Sequence, residues 1–375
     1  MSIGITNFGR RRGPARLLAL LLALGLVAAA CGSDDGGGGG DETAAGSGSG
    51  AAADAKPSGT LRLGYFANVT HAPAIIGVED GLFAKALGPD VKIQYSTYNA
   101  GTEAIEALST GSIDATFVGP NPAINGYAAS LADKQGGVLR IVAGTTSGGA
   151  SLVVKPDIAD AKDLKGKSLA TPSLGNTQDV ALRSWLATKG LKTDPTGGGD
   201  VKIVPQDNAD TLTTFQEGDI QGAWVPEPWA TRLVDEGGGK VLVNEADLWP
   251  GGKFVTTHLV VREDYLKDHP ANVEALISGL LAAIDEANGD TAKAEKATND
   301  GIEKVTTKRL SDETIAGAWK NLTFTPDPIA SSLERSKDDA VKVGLLKDVD
   351  LDGIYDLSIL NQLLQADGKS EVDGL

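Results

Sequence analysis

The stretch "DIQGAWVPEPW", residues 219–229, sets one carboxylate, Glu227, between two of the chain's five tryptophans, Trp224 and Trp229. A carboxyl walled by aromatic rings can act as a general acid when burial raises its affinity for a proton. That chemistry needs a partner acid or base, and the surrounding sequence supplies none. Glu227 stands just before Pro228, a spacing that suits the first turn of a helix. Its reading therefore divides between a helix-start residue and a side chain that faces a ligand. Trp224 alternates with Ala223 and Val225 at a strand end, so it points either into a core or into a cleft. Tyr65 and Phe66 carry the same ambiguity.

The other reactive types are sparse. Of three histidines, His269 precedes Pro270 in a connection, which leaves His71 and His258 to weigh. No HExxH, cysteine cluster or dense Asp/Glu/His set occurs, so neither a metal site nor a cofactor is implied. No GxSxG elbow announces a serine hydrolase. The "GGGGG" and "TGGGD" runs lack the lysine and hydroxyl of a phosphate loop and read as linkers. "SLGNTQD" is more informative, because Ser173, Asn176 and Thr177 sit where a strand turns into a helix. Free N–H groups and the positive end of the helix dipole make such a turn a seat for an anion, although simple N-capping explains the same residues.

These loops need strands and helices to hold them. "TLRLGYF" from residue 60 reads as a buried strand. "APAIIGVEDGLFAKAL" follows with Ile75, Val78, Leu82 and Ala86 at helical spacing. "VKIQY", "GTEAIEALSTG" and "IDATFVG" continue as strand, helix and strand. The order returns after residue 165: "KSLATPSLGNTQDVALRSWLATKG", "VKIVPQDNADTLTTFQEG" and "IQGAWVPEPW". The halves align in detail, "GSIDATFVGPNP" at 111–122 against "GDIQGAWVPEPW" at 218–229. Two generic βαβ units under the same packing rules would also produce such a repeat. Asn121-Pro122 and Glu227-Pro228 both read as a cap followed by a proline at the first helical position.

Two apolar runs with charged stops, Ser151–Val154 and "FVTTHLVV" from Phe254, are expected to be antiparallel strands that cross between the lobes. The C-terminal third reads as helical, beginning with "ANVEALISGLLAAIDEAN" and ending with "YDLSILNQLL". The fold class expected is α/β: a two-lobed, type II periplasmic-binding-protein-like fold with two mostly parallel sheets joined by two crossing strands. Residues 60–150 and 255–375 would form the first, discontinuous lobe, and residues 151–254 the second.

The start of the chain has a different character. Arginines, an apolar run from Leu17 to Ala30, and the single cysteine, Cys31, follow the order of a secretory signal, residues 1–30. The alanines before Cys31 resemble a bacterial lipobox, which implies lipidation at that cysteine. Residues 31–59, rich in Gly, Ser, Ala and acids, read as a flexible linker. Removing residues 1–30 with their four arginines takes the formal net charge from −16 to about −20, which argues against nucleic acid as a partner.

With both halves in order, the chain resembles the solute-binding lipoproteins of ABC importers in the sulfonate/nitrate/taurine-binding family, nearest to the aliphatic-sulfonate branch. The carriers are "LRLGYFANVTHAPAIIGVEDGLF", "GSIDATFVGPNPAI", "DLKGKSLATPSLGNTQD", "GDIQGAWVPEPWA" and "TTHLVVREDYLKDHP". The resemblance implies a monomeric, extracytoplasmic, non-catalytic receptor, anchored by its lipid to the outer face of the cell membrane. It would capture a small organic anion, an aliphatic sulfonate or a taurine-like molecule, and deliver it to a membrane permease. The family's strand-end loops map the pocket to Tyr65, Asn68 and His71, then Gly119, Pro120 and Asn121. The second lobe would add Ser173, Asn176, Thr177, Gln206, Trp224 and Glu227, with Thr257 and His258 at the second crossing. A carboxylate at Glu227 sits awkwardly beside an anion, and a thiamine-precursor pyrimidine, nitrate or bicarbonate, or a two-lobed enzyme, stand as alternatives.

Overall fold

The computed structural model describes residues 56–133 and 139–375. The expected signal, Cys31 and the linker through residue 55 lie outside the described residues. Among the described residues eleven strands run in chain order: β1 (Gly59–Tyr65), β2 (Val91–Thr97), β3 (Ala115–Val118), β4 (Leu139–Gly148), β5 (Ala150–Val154), β6 (Ser168–Thr171), β7 (Lys202–Pro205), β8 (Gly222–Pro226), β9 (Lys240–Asn244), β10 (Val255–Arg262) and β11 (Leu322–Phe324). The helices are α1 (Ala72–Glu79), α2 (Leu82–Leu87), α3 (Gly101–Ser109), α4 (Pro120–Asp133), α5 (Thr177–Thr188), α6 (Asn208–Glu217), α7 (Trp229–Asp235), α8 (Glu263–Asp268), α9 (Pro270–Gly289), α10 (Thr291–Thr306), α11 (Asp312–Trp319), α12 (Ala330–Lys342) and α13 (Ser358–Ala366). Among them no helix is long and apolar enough to cross a membrane.

The strands form two sheets, ordered β11-β4-β10-β3-β1-β2 and β7-β6-β8-β5-β9. Each contains the expected parallel core: β1 lies between β2 and β3, and β6 between β7 and β8. The sequence repeat is thus a repeat of topology, with helices α1–α3 and α5–α6 making the crossovers. Antiparallel strands extend both cores, so each sheet is mixed and not mostly parallel as expected: β10 pairs with β3 and β4, β11 with β4, and β5 with β8 and β9. The fold is the expected two-lobed one.

The crossings differ in detail from expectation. Ser151–Val154 belongs to β5, wholly within the second sheet, and the antiparallel partner of β10 is β4. The chain leaves the first sheet at Gly148 and enters the second at Ala150, with only Gly149 between, and both Gly148 and Gly149 have the positive φ that glycine adopts freely. It returns through Phe254, whose carbonyl accepts from the Gly148 N–H at 3.2 Å. The two crossings are therefore stitched together at the hinge, where Thr256 Oγ1 also donates to the Gly148 carbonyl.

Three local differences matter for the site. The segment 72–87 is two helices, broken at Asp80 and Gly81. Helix α4 starts at Pro120, with Ala123 N–H donating to the Gly119 carbonyl, so Asn121 is inside the helix and does not cap it. Lys189 ends α5, and Gly190 follows it in the left-handed region with Leu191 N–H returning to the Leu186 carbonyl, a Schellman-type stop. The cores lie on both faces of the sheets. The largest joins β1, β3 and β10 to α1, α9 and α10 through residues such as Leu63, Phe83, Phe117 and Leu276.

Candidate functional site

A cavity of about 40 Å³ lies between the lobes, beyond the C-terminal ends of the parallel strands. Each parallel strand leads into it: Phe66 follows β1, Asn99 to Gly101 follow β2, and Gly119 follows β3. From the second lobe come Pro172 after β6, Asn208 after β7, and Pro226 at the end of β8. Five helical starts converge there. They are the single-turn helix Val69–His71 that leads into α1, and the first residues of α3, α4, α5 and α6. First-turn N–H groups have no partner within a helix, and the dipole gives that end a partial positive charge. The cavity wall contains no Lys, Arg, Asp or Glu side chain.

The polar side chains are oriented as donors by bonds behind them. Asn176 caps α5 by accepting from Asp179 N–H at 2.9 Å, which fixes its side-chain oxygen as an acceptor. Its Nδ2 must then donate to Gln178 Oε1, at 3.1 Å, and Gln178 Nε2 is left as a donor at the cavity. His71 stacks on Phe66 with centroids 4.4 Å apart, and its Nδ1 accepts from the Phe66 N–H at 3.4 Å. Burial pushes this imidazole down to about 3, so it is neutral, and the ring hydrogen resides on Nε2. Asn68 accepts from Trp229 Nε1 at 3.0 Å through its own oxygen, which frees Nδ2. The cage offers neutral donors and helix starts, a combination that holds an anion without the desolvation cost of a buried countercharge.

The lobes are closed on this cavity. Glu227 is the centre of the contact: its carbonyl accepts from Thr70 N–H at 3.4 Å, and its Oε1 accepts from Asn321 Nδ2 at 2.7 Å. Oε2 accepts from Thr231 N–H in the first turn of α7. Burial raises the Glu227 carboxyl above its ordinary range, while the Thr231 and Asn321 bonds pull the other way. Pro228, not Glu227, is the N-cap of α7, which begins at Trp229, so the expected cap-then-proline order is displaced by one residue. The Glu227 side chain still bonds the first turn and also bonds across the cleft. Asn125 Nδ2 donates to the Gly175 carbonyl at 3.2 Å on the far side.

Of the residues expected at the pocket, Asn68, His71, Gly119, Asn176 and Thr177 line the cavity. The others lie elsewhere. Trp224 is fully buried beneath the cleft, edge-on to Trp185, with its indole donating to Glu245 at 2.7 Å. It occupies the middle of β8, and Pro226, two residues further along the same face, is the one that reaches the cavity. Tyr65 packs edge-on to Tyr95 in the core, and its neighbour Phe66 takes the cavity position. Pro120 opens α4, and the Asn121 amide donates to the Ser336 carbonyl. Gln206 turns back to Thr211 and Thr214 of α6. The Ser173 hydroxyl is buried without a partner, outside the cavity wall. Thr257 donates to the Thr70 carbonyl, and the neutral His258 ring meets the Pro328 carbonyl at 3.2 Å. Thr70, Asn99, Gln178, Asn208 and Thr256 are cavity residues that the sequence reading did not pick. The strand-then-Asn-Ala-Gly order at 99–101 is the signal that could have found the loop after β2.

Glu245 makes a second feature below the site. Trp224 and Trp249 both donate their indole N–H to it, at 2.7 and 3.4 Å, and burial pushes its carboxyl up to about 7. A carboxyl raised in the folded state stabilises the protein below its unfolded value of 4.5, and that contribution is lost as pH rises to about 7. Glu245→Gln is expected to gain stability relative to the parent as pH rises from 5 to 8, by up to about 3 kcal/mol in urea unfolding. Parallel pH profiles for the two proteins would show that Glu245 ionises freely in the fold.

A two-lobed fold with a cage of neutral donors in its cleft is the geometry of a solute-binding site. The sequence profile of the NMT1-like family matches residues 54–299, and the chain belongs to that family. It is 29% identical over 214 residues to the taurine-binding periplasmic protein of Escherichia coli, covering 56% of this chain and 62% of that protein. It is 30% identical over 270 residues to the nitrate/nitrite binding protein NrtA of Synechococcus elongatus (64% and 58%). It is 27% identical over 257 residues to the bicarbonate-binding protein CmpA of Synechococcus (64% and 56%). The chain thus spans about three-fifths of the length of these curated relatives. Among solved structures, NrtA of Synechocystis superposes with a TM-score of 0.68 at 19% identity, covering 84% of this chain and 90% of that one. The alkanesulfonate-binding protein SsuA of Xanthomonas axonopodis bound to MOPS superposes with 0.64 at 20% (78% and 96%). These likenesses are of fold, and the relatives do not single out the sulfonate branch over the nitrate and bicarbonate ones.

Proposed function

We propose that this protein is the extracytoplasmic solute-binding component of an ABC importer, and that it captures a small oxoanion between its lobes and hands it to a membrane permease. The observation that carries the reading is the convergence of five helical starts on a cavity without a charged side chain. A space of about 40 Å³ has room for roughly three waters, which suits an ion of nitrate or bicarbonate size. The aliphatic-sulfonate or taurine-like reading is the second one, favoured by the apolar wall of Phe66, Pro122, Pro172 and Pro226 beside the donors. A cationic pyrimidine is disfavoured, because both Glu227 oxygens are already engaged. In this reading residues 60–150 with 255–375 close against residues 151–254, and Cys31 carries the lipid that keeps the receptor at the membrane.

Titration calorimetry and thermal unfolding with sodium nitrate, sodium bicarbonate, methanesulfonate and taurine test the proposal. The cognate anion at a hundredfold excess over its dissociation constant should stabilise the fold by about 2.7 kcal/mol. No response to any of the four at millimolar concentration, or a response to a pyrimidine instead, overturns it.

A further inference from the structure

Trp229 lies outside the cavity wall, yet it controls what one wall residue presents. Its indole crosses the cleft and donates to Asn68 Oδ1 at 3.0 Å, while Asn68 belongs to the opposite lobe and is only 8% exposed. An amide has one acceptor oxygen and one donor nitrogen on the same carbon, so occupying the oxygen decides which group faces the other way. The indole is itself held. Arg232 sits over its ring at 4.6 Å, and Glu236 takes both faces of the Arg232 fork, at 2.6 and 3.0 Å. All three residues are on or next to α7, across the cleft from Asn68.

We propose that Trp229 is a positioning residue that converts lobe closure into anion recognition: on closing, its indole N–H takes the Asn68 oxygen and commits Asn68 Nδ2 to the ligand. With the lobes apart, the Asn68 amide turns freely and presents its carbonyl oxygen, which repels an oxoanion, as often as its amino group. The closed protein presents only the donor. The full donor set therefore exists only in the closed form, and closure and anion affinity are coupled through one hydrogen bond. This inference rests on the anion reading of the cavity.

Trp229→Phe keeps the ring and removes the donor. Against whichever of nitrate, bicarbonate, methanesulfonate or taurine the parent binds, it should weaken affinity roughly five- to tenfold. In an Asn68→Ala background the same change should have no further effect, which a packing role for Trp229 would not produce. In the anion-saturated, closed protein, the Asn68 side-chain amide signals in nitrogen–proton NMR spectra should shift in Trp229→Phe, and the Trp229 indole signal should shift in Asn68→Ala. Equal losses of affinity in both backgrounds, or amide signals unmoved by Trp229→Phe, overturn the proposal. If the parent binds none of the four anions, the functional reading fails and the proposal falls with it; binding by the parent with equal losses in both backgrounds overturns the proposal alone.

Discussion

Gly119→Leu will abolish anion binding and leave each lobe folded. Gly119 is the residue between β3 and α4, and a Cβ placed on it would stand 2.6 Å from Thr177 Oγ1 of the opposite lobe and 3.4 Å from the Thr256 carbonyl oxygen. A single methyl group can be met by rotating the threonine hydroxyl, so Gly119→Ala should retain part of the affinity. A leucine side chain cannot be accommodated that way, and it wedges α4 away from the start of α5. The donors of the two lobes then no longer meet around one ion. Affinity measured by calorimetry should fall by more than about a hundredfold, because all second-lobe donors are lost together. Solution scattering should show no compaction on adding the anion that compacts the parent. Parent-like affinity in Gly119→Leu would mean that binding does not require the closure seen here.

Asp179→Ala will cost about 3–5 kcal/mol of stability, because it strands a buried arginine. Asp179 and Arg183 are both fully buried, one helical turn apart on α5, with Arg183 Nε donating to Asp179 Oδ2 at 3.0 Å. The Asp179 carboxylate also receives the Thr171 hydroxyl at 3.0 Å and the Gly175 N–H at 2.9 Å, so it ties the loop Pro172–Gly175 to the helix start. Among the described residues the two further nitrogens of Arg183 have no partner, and Asp179 is its bonded countercharge. Urea unfolding should show the loss directly, and Asp179→Ala with Arg183→Met should recover most of it, since removing both charges also removes the desolvation penalty. A single variant with parent stability would mean that Arg183 finds another partner or reaches water. The pair also keeps a carboxylate in the first turn of α5 neutralised, which lets that helix start serve an anion.

How much of this was readable beforehand can be judged from neighbouring residues. "SLGNTQD" marked the start of α5 correctly, because capping chemistry is local: Asn176 must precede the helix whose N–H it accepts. Pro228 behind Glu227 marked the start of α7 to within one residue, since the proline caps the helix instead of opening it. The carboxylate's second bond, to Asn321 94 residues away in the chain, left no trace in local pattern. Trp224 and Pro226, or Tyr65 and Phe66, could not be sorted by alternation. β8 and the end of β1 are buried on both faces, so period-two patterning says that neighbours differ in direction without saying which direction is the cleft.

The sequence by itself determined the order of strands and helices, the doubled β-α-β unit, the paucity of catalytic groups and the helix starts that face the cleft. Those features follow from the hydrophobic period and from capping residues, which act over a few positions. Only the tertiary structure decided that β4 rather than β5 pairs with β10, that Trp224 supports the site from beneath, and that Glu227 and Trp229 fasten the lobes. These depend on pairings between residues far apart in the chain, where many partners have the right chemistry and the packing of the whole chain selects one. The opening carboxylate between two tryptophans bonds the first turn of α7 and, 94 residues on in the chain, Asn321 across the cleft.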